Sequence, residues 1–104
     1  MLLLIGALKK IKFAYYNQLE RRYLEKEINS PVEILSCLGN ITKKENELFL
    51  HLHITIADKN GNAFGGHLLK GSIVFALEGI IFEFFGKPIK RKFDESIKLF
   101  LFDI

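Results

Sequence analysis

Three histidines, His51, His53 and His67, are the residues of this 104-residue chain whose type and spacing best suit chemistry. The sequence contains no other histidine. Neutral imidazole is a common ligand of Zn²⁺, and three imidazoles leave one position of a tetrahedral ion open for water or a ligand. If the fold brings all three together, the expected cofactor is zinc. The alternative is that His51 and His53 are polar positions of a half-exposed strand and His67 caps a turn.

The strand that carries the first two histidines is predicted over 48–57, where apolar and polar residues alternate. Side chains two positions apart leave the same face of a strand, about 6.6 Å apart at the backbone. Two imidazoles at that spacing can share a metal. The apolar face comprises Leu50, Leu52, Ile54 and Ile56, and the other face comprises Phe49, His51, His53 and Thr55.

The position of His67 depends on the turn in Asp58–Asn62, which has a hairpin composition. A three-residue Lys59–Gly61 loop with Gly61 in the left-handed region makes His53 face His67. A two-residue loop sends His67 to the opposite face, unless Gly65-Gly66 forms a bulge. A bulge is the favoured interpretation of these glycines, and close backbone approach to a ligand is the alternative.

Two further features carry charge. Glu78 lies within an apolar stretch, where a buried carboxylate would need a partner. A basic cluster, defined as Lys87, Lys90, Arg91 and Lys92, is the candidate nucleic-acid contact, with solvated surface as the alternative. The net charge of +3 permits an acidic partner without requiring one.

The rest of the chain predicts short strands separated by turns, with little helix. Such a mainly antiparallel sheet needs cover on its second face, which a single helix and a symmetry-related subunit could supply. The stretch Ile73–Phe85 is apolar on both faces and is therefore the expected subunit interface. The predicted strands span 2–16, 32–41, 48–57, 63–69, 73–85, 89–93 and 97–102, with a turn and then a strand within 18–28.

Composition excludes several classes of protein. An apolar content of 49% excludes disorder, and a single cysteine excludes a disulfide scaffold. No glycine-rich nucleotide fingerprint or Walker loop is present. The leucine-rich start lacks a charged segment and a cleavage site, so a cytoplasmic protein without a membrane partner is expected.

Several motifs together resemble the plant- and prokaryote-conserved (PPC) domain. The most specific is the His-x-His strand followed at this spacing by Phe-Gly-Gly-His-Leu. The resemblance covers nearly the whole chain. The motifs are Ile5–Lys10, Pro31–Ser36, Leu38–Ile41, Phe49–His53, Phe64–Leu68 and Arg91–Glu95.

The resemblance implies an α/β (α+β) fold with a mainly antiparallel sheet, forming a homotrimer. Residues 1–104 would form one PPC-like domain, N-terminally shortened because the usual first strand and helix are lacking. The resemblance also implies that His51, His53 and His67 are the metal ligands. It implies a candidate DNA-binding function, although the Arg-Gly-Arg-Pro hook of plant members is missing and binding should be weak.

The expected function is therefore a non-enzymatic, oligomeric, candidate DNA-binding protein with a three-histidine metal site. No catalytic residues are identified. The alternative is a metal-dependent small-molecule-binding protein or enzyme of unknown substrate.

Overall fold

Eight β-strands and no helix make up the computed structural model, which describes residues 1–104. The strands are β1 (Leu2–Asn17), β2 (Arg22–Ile28), β3 (Val32–Lys44), β4 (Glu47–Ala57), β5 (Ala63–Leu68), β6 (Ile73–Ile81), β7 (Arg91–Asp94) and β8 (Leu99–Phe102). The mainly antiparallel sheet expected from the sequence is confirmed. The α/β (α+β) class is not, because the chain contains no helix, and so no helix covers the second face of the sheet.

The long strand β1 organises the sheet. Its first half pairs with β3 on one edge and β6 on the other, and its second half pairs with β2 and, over two residues, with β5. The pairings β1–β3, β3–β4, β4–β5 and β5–β1 return to their starting strand. Strands β1, β3, β4 and β5 therefore close into a small barrel, and β7 and β8 form a separate hairpin.

The core fills this barrel. From β4 it takes Leu52, Ile54 and Ile56, which are 0–4% exposed, as the alternation predicts. Leu50 was expected on the same buried face but is 53% exposed. The reason is that β5 pairs with β4 only from His53 to Ala57, so Leu50 lies beyond the closed part of the barrel. The remaining core residues are Leu2, Leu8, Ile11, Phe13, Val32, Ile34 and Cys37.

Two other predictions need correction. Gly65 and Gly66 form no bulge, since the β4–β5 register is continuous through both. Instead they allow close contact between strand backbones: a Cβ on Gly65 would lie 1.9 Å from the carbonyl oxygen of Ile54. Glu78 is not buried: it is exposed in the single chain, as is every other residue of β6.

The remaining strand predictions are close to the structure. A turn and then β2 occupy the ambiguous 18–28 segment, and the apolar 73–85 stretch ends as a strand at Ile81. The structure contains no helix that is long and apolar enough to cross a membrane.

Candidate metal centre

The turn between β4 and β5 has the three-residue geometry that the site requires. Gly61 adopts a φ of 79°, and its N–H donates to the carbonyl of Asp58 at 3.0 Å. The N–H of Asp58 donates to the carbonyl of Asn62 at 3.1 Å, which closes the loop. The Asp58 carboxylate accepts the N–H groups of Asn60 and Asn62 at 2.8 and 3.0 Å. The side-chain amide of Asn62 also donates to Oδ2 of Asp58 at 3.1 Å, and this bond makes the largest contribution to lowering the pKa of Asp58, to which the backbone bonds add.

This turn fixes a register in which His53 faces His67 directly. His51 lies two residues before His53 on the same outward face of β4, opposite the barrel core. Of the two loops considered from the sequence, the three-residue loop is the one that forms, and it brings His67 to His51 and His53.

The three imidazoles are close enough to share one ion. Their ligand nitrogens all lie within 4.8 Å of one another. The Nε2 of His51 is 3.2 Å from the Nδ1 of His67, and the rings of His53 and His67 are 4.1 Å apart at their centroids. A tetrahedral zinc ion with Zn–N bonds of about 2.0–2.1 Å separates its nitrogens by about 3.3–3.4 Å. The 3.2 Å distance between Nε2 of His51 and Nδ1 of His67 is therefore close to the nitrogen–nitrogen distance that a zinc ion requires.

Burial keeps two of these histidines neutral. Burial is the main cause that lowers the pKa of His51 to about 4, and the charge of Arg91 adds to it. Burial also lowers the pKa of His67, with a contribution from His53. Because only neutral imidazole ligates a metal, both side chains are in the ligating form at neutral pH.

Arg91 is the charged neighbour of the cluster. Its Nη2 lies 3.3 Å from Nδ1 of His51 and 2.8 Å from Oδ1 of Asn40. Its Nε donates to Thr42 at 2.9 Å and its Nη1 to the carbonyl of Phe100 at 2.8 Å. The bond to Phe100 lies within the β7–β8 hairpin, whereas the contacts with Asn40, Thr42 and His51 attach this hairpin to the outward side of β3 and β4, beside the histidines.

The Arg91 contact also selects a tautomer of His51. A guanidinium can only donate, so Nδ1 of His51 accepts and its proton resides on Nε2. That Nε2–H donates to Nδ1 of His67. If a metal bound at Nε2, the proton of His51 would have to reside on Nδ1. That N–H would then face the N–H donor of Arg91, 3.3 Å away, so Arg91 in its present position opposes metal binding by His51.

The basic cluster is not one continuous surface. Lys87, Lys90 and Lys92 are exposed, whereas Arg91 points inward to the histidines. Alternation along β7 could have indicated this, since Arg91 lies between Lys90 and Lys92. The structure does not bring the three lysines to the histidine cluster.

Residues 1–85 match the sequence model of the Plants and Prokaryotes Conserved (PCC) domain. The chain belongs to this family. Of the solved structures, a PPC protein from Pyrococcus horikoshii is 31% identical with a TM-score of 0.91, over 99% of this chain and 71% of that one. A comparison with curated proteins returned no match.

Two other solved structures of the same fold bear on function. A metal-containing protein from Archaeoglobus fulgidus is 37% identical with a TM-score of 0.90, over 97% of this chain and 71% of that chain. A candidate DNA-binding protein from Bacteroides thetaiotaomicron is 29% identical with a TM-score of 0.87, over 98% and 71%.

Proposed function

We propose that this chain is a metal-binding PPC domain in which His51, His53 and His67 hold one Zn²⁺ ion. The observation that carries the proposal is the meeting of three imidazoles on one face, with two nitrogens 3.2 Å apart. The donor set contains no thiolate, because Cys37 lies in the core, and no carboxylate. Three nitrogen donors favour zinc over a hard cation such as Mg²⁺.

A zinc ion on these ligands would supply an open position that polarises or binds a ligand. His67 is the ligand whose loss tests the convergence most directly, because it comes from β5 whereas His51 and His53 share β4. The T-shaped contact of its ring with Tyr23, 5.1 Å between centroids, supports the ring orientation.

The test is zinc titration of purified protein, stripped of metal, at pH 7.5. The wild type should bind one zinc per chain and His67→Ala should lose at least about 100-fold in affinity. Thr55→Ala is the matched control, because Thr55 is the next outward position of β4 and is exposed. Wild-type protein that takes up no zinc, or a His67→Ala variant that binds as well as the control, contradicts the proposal.

We also propose that the chain forms a homotrimer, with the number three taken from the family resemblance. Its exposed surface of 7788 Å² exceeds the roughly 6,000 Å² expected of a compact 12.0 kDa monomer. The radius of gyration, 14.8 Å, likewise exceeds the roughly 13 Å expected. Both values indicate a chain that is more extended than a compact monomer and that leaves surface for partner subunits to cover.

Strand β6 supports this assembly, since Phe75 is 71% exposed and Ile81 65%. Light scattering coupled to gel filtration should give the trimer mass, and Phe75→Glu should reduce it while Lys70→Glu, at an exposed polar site, should not. A folded wild-type monomer at micromolar concentration contradicts this assembly.

DNA binding is the second candidate function. The Bacteroides thetaiotaomicron relative and the exposed Lys87, Lys90 and Lys92 favour it. Binding through these lysines should be weak and should fall steeply with salt. In a gel-shift assay at low salt, Lys90→Glu combined with Lys92→Glu should abolish binding, while Lys26→Glu, at an exposed site on β2, should not. Binding that is insensitive to salt or to the double change contradicts this mechanism.

A further inference from the structure

A large apolar cavity adjoins the histidine cluster. Its volume is about 890 Å³, within the range of small-molecule sites, and 11 of its 17 lining residues are hydrophobic. It runs along the edge of β4 that β5 leaves unpaired, since the β4–β5 pairing begins only at His53. Leu50 and Phe49 contribute from this edge, and Phe100 and Leu101 contribute from the β7–β8 hairpin.

The charge around the cavity has one sign. Lys44, Lys70, Arg91 and Lys98 line it, and no aspartate or glutamate does. Lys98 is paired with Glu95, but Lys44 and Lys70 take part in no salt bridge. The Nζ of Lys44 lies 3.7 Å from the centre of the Phe100 ring, which holds this cation against the apolar wall.

The cavity and the metal site share residues. His51 and His67 are part of the cavity wall, so an ion held by the histidines would border the apolar space. A ligand that suits all three features has an apolar body for the cavity, a negative charge for the lysines, and an oxygen donor for the metal. A carboxylate with a hydrocarbon chain meets these conditions, whereas a sugar or a cation does not.

We propose that the cavity binds an organic carboxylate with an apolar body, whose carboxylate takes the open position of the histidine-bound metal. This inference rests on the proposed metal site. It assigns the β7–β8 hairpin a function as one wall of a ligand-binding cavity.

The test is calorimetric titration of the zinc-loaded full chain with octanoate, acetate and 1-octanol. Each half-buried methylene contributes about a factor of two in affinity, so octanoate should bind about 60-fold more tightly than acetate. Octanol, which has the chain but no carboxylate, should bind more weakly than octanoate.

Two variants separate the cavity from the metal. Leu50→Glu places a negative charge in the cavity wall at a half-exposed site and should weaken octanoate binding at least tenfold. Leu35→Glu is the matched control, because Leu35 is 52% exposed, close to the 53% of Leu50, and lies outside the cavity. Zinc stoichiometry should be unchanged in both.

The outcomes distinguish the two proposals. If zinc binds but octanoate binds no tighter than acetate, or if Leu50→Glu binds it like the control, the cavity proposal is wrong and the metal proposal stands. If no zinc binds, both are wrong, since the carboxylate has lost its anchor.

Discussion

Replacing Gly65 by alanine should disrupt the metal centre, although the added methyl group would contact the backbone of β4 and not a metal ligand. An added Cβ would lie 1.9 Å from the carbonyl oxygen of Ile54, 2.9 Å from the carbonyl carbon of that residue and 3.1 Å from the Cα of Thr55. All three atoms are backbone of β4, so no side-chain rotation relieves the clash. The two strands must move apart.

The size of the effect follows from these distances. A Cβ contact closer than 3.0 Å does not persist, so the strands separate by more than about 1 Å, which breaks backbone hydrogen bonds of ordinary length. Loss of two or three such bonds in the β4–β5 ladder costs about 2–4 kcal/mol of unfolding free energy. His67 is two residues further along β5 and would be displaced from His51 and His53, so zinc affinity should fall at least about 100-fold.

The assay combines urea unfolding, followed by far-ultraviolet circular dichroism, with zinc titration. Gly61→Asn is the control: Gly61 has a φ of 79° and open space around it, and asparagine tolerates this conformation. The control should keep wild-type zinc affinity and lose less than about 1 kcal/mol. A Gly65→Ala variant with wild-type stability and zinc affinity would refute the account of strand approach.

Three further outcomes are expected. Arg91→Met should bind zinc about tenfold more tightly in the same titration, because it removes the donor facing Nδ1 of His51, while the melting temperature falls through loss of the bonds to Asn40 and Thr42; equal or weaker zinc binding would show that Arg91 does not oppose ligation. Asp58→Asn should lower the melting temperature at pH 6. The folded-state pKa of Asp58 is depressed, so its stabilisation is present above the unfolded pKa and is lost as pH falls through the folded pKa. The difference in melting temperature between wild type and variant should therefore close at low pH. A difference that does not depend on pH would contradict this. Cys37 should react with a thiol reagent such as Ellman's only on unfolding, because it is buried and burial raises the pKa of its thiol; rapid reaction of folded protein would contradict its core position.

The local features of the site could be predicted from sequence because they depend on neighbouring residues. Alternation in β4 put His51 and His53 on one face, and the Asp58–Gly61 sequence contains the residues that a three-residue turn requires. The turn then determines the register and the position of His67. Each step involves only residues adjacent in sequence or paired through one hairpin.

The features that were missed depend on contacts between distant parts of the chain. Barrel closure rests on Phe13 and Ala14 of β1 pairing with Leu68 and His67 of β5. From the sequence alone, Gly65 and Gly66 predict a bulge. Only the structure shows that Gly65 lies against the backbone of β4. The cavity depends on the β7–β8 hairpin, which packs against β3 and reaches β4 through Arg91; the position of Arg91 in the sequence does not reveal this packing.

X-ray absorption at the zinc edge of the zinc-loaded protein tests the central claim most directly. The account predicts three imidazole nitrogens at about 2.0–2.1 Å and one further light-atom ligand that is not imidazole. His67→Ala, loaded at high zinc, should retain at most two imidazoles. A wild-type spectrum with fewer than three imidazoles, or with a sulfur ligand at about 2.3 Å, would contradict the three-histidine site.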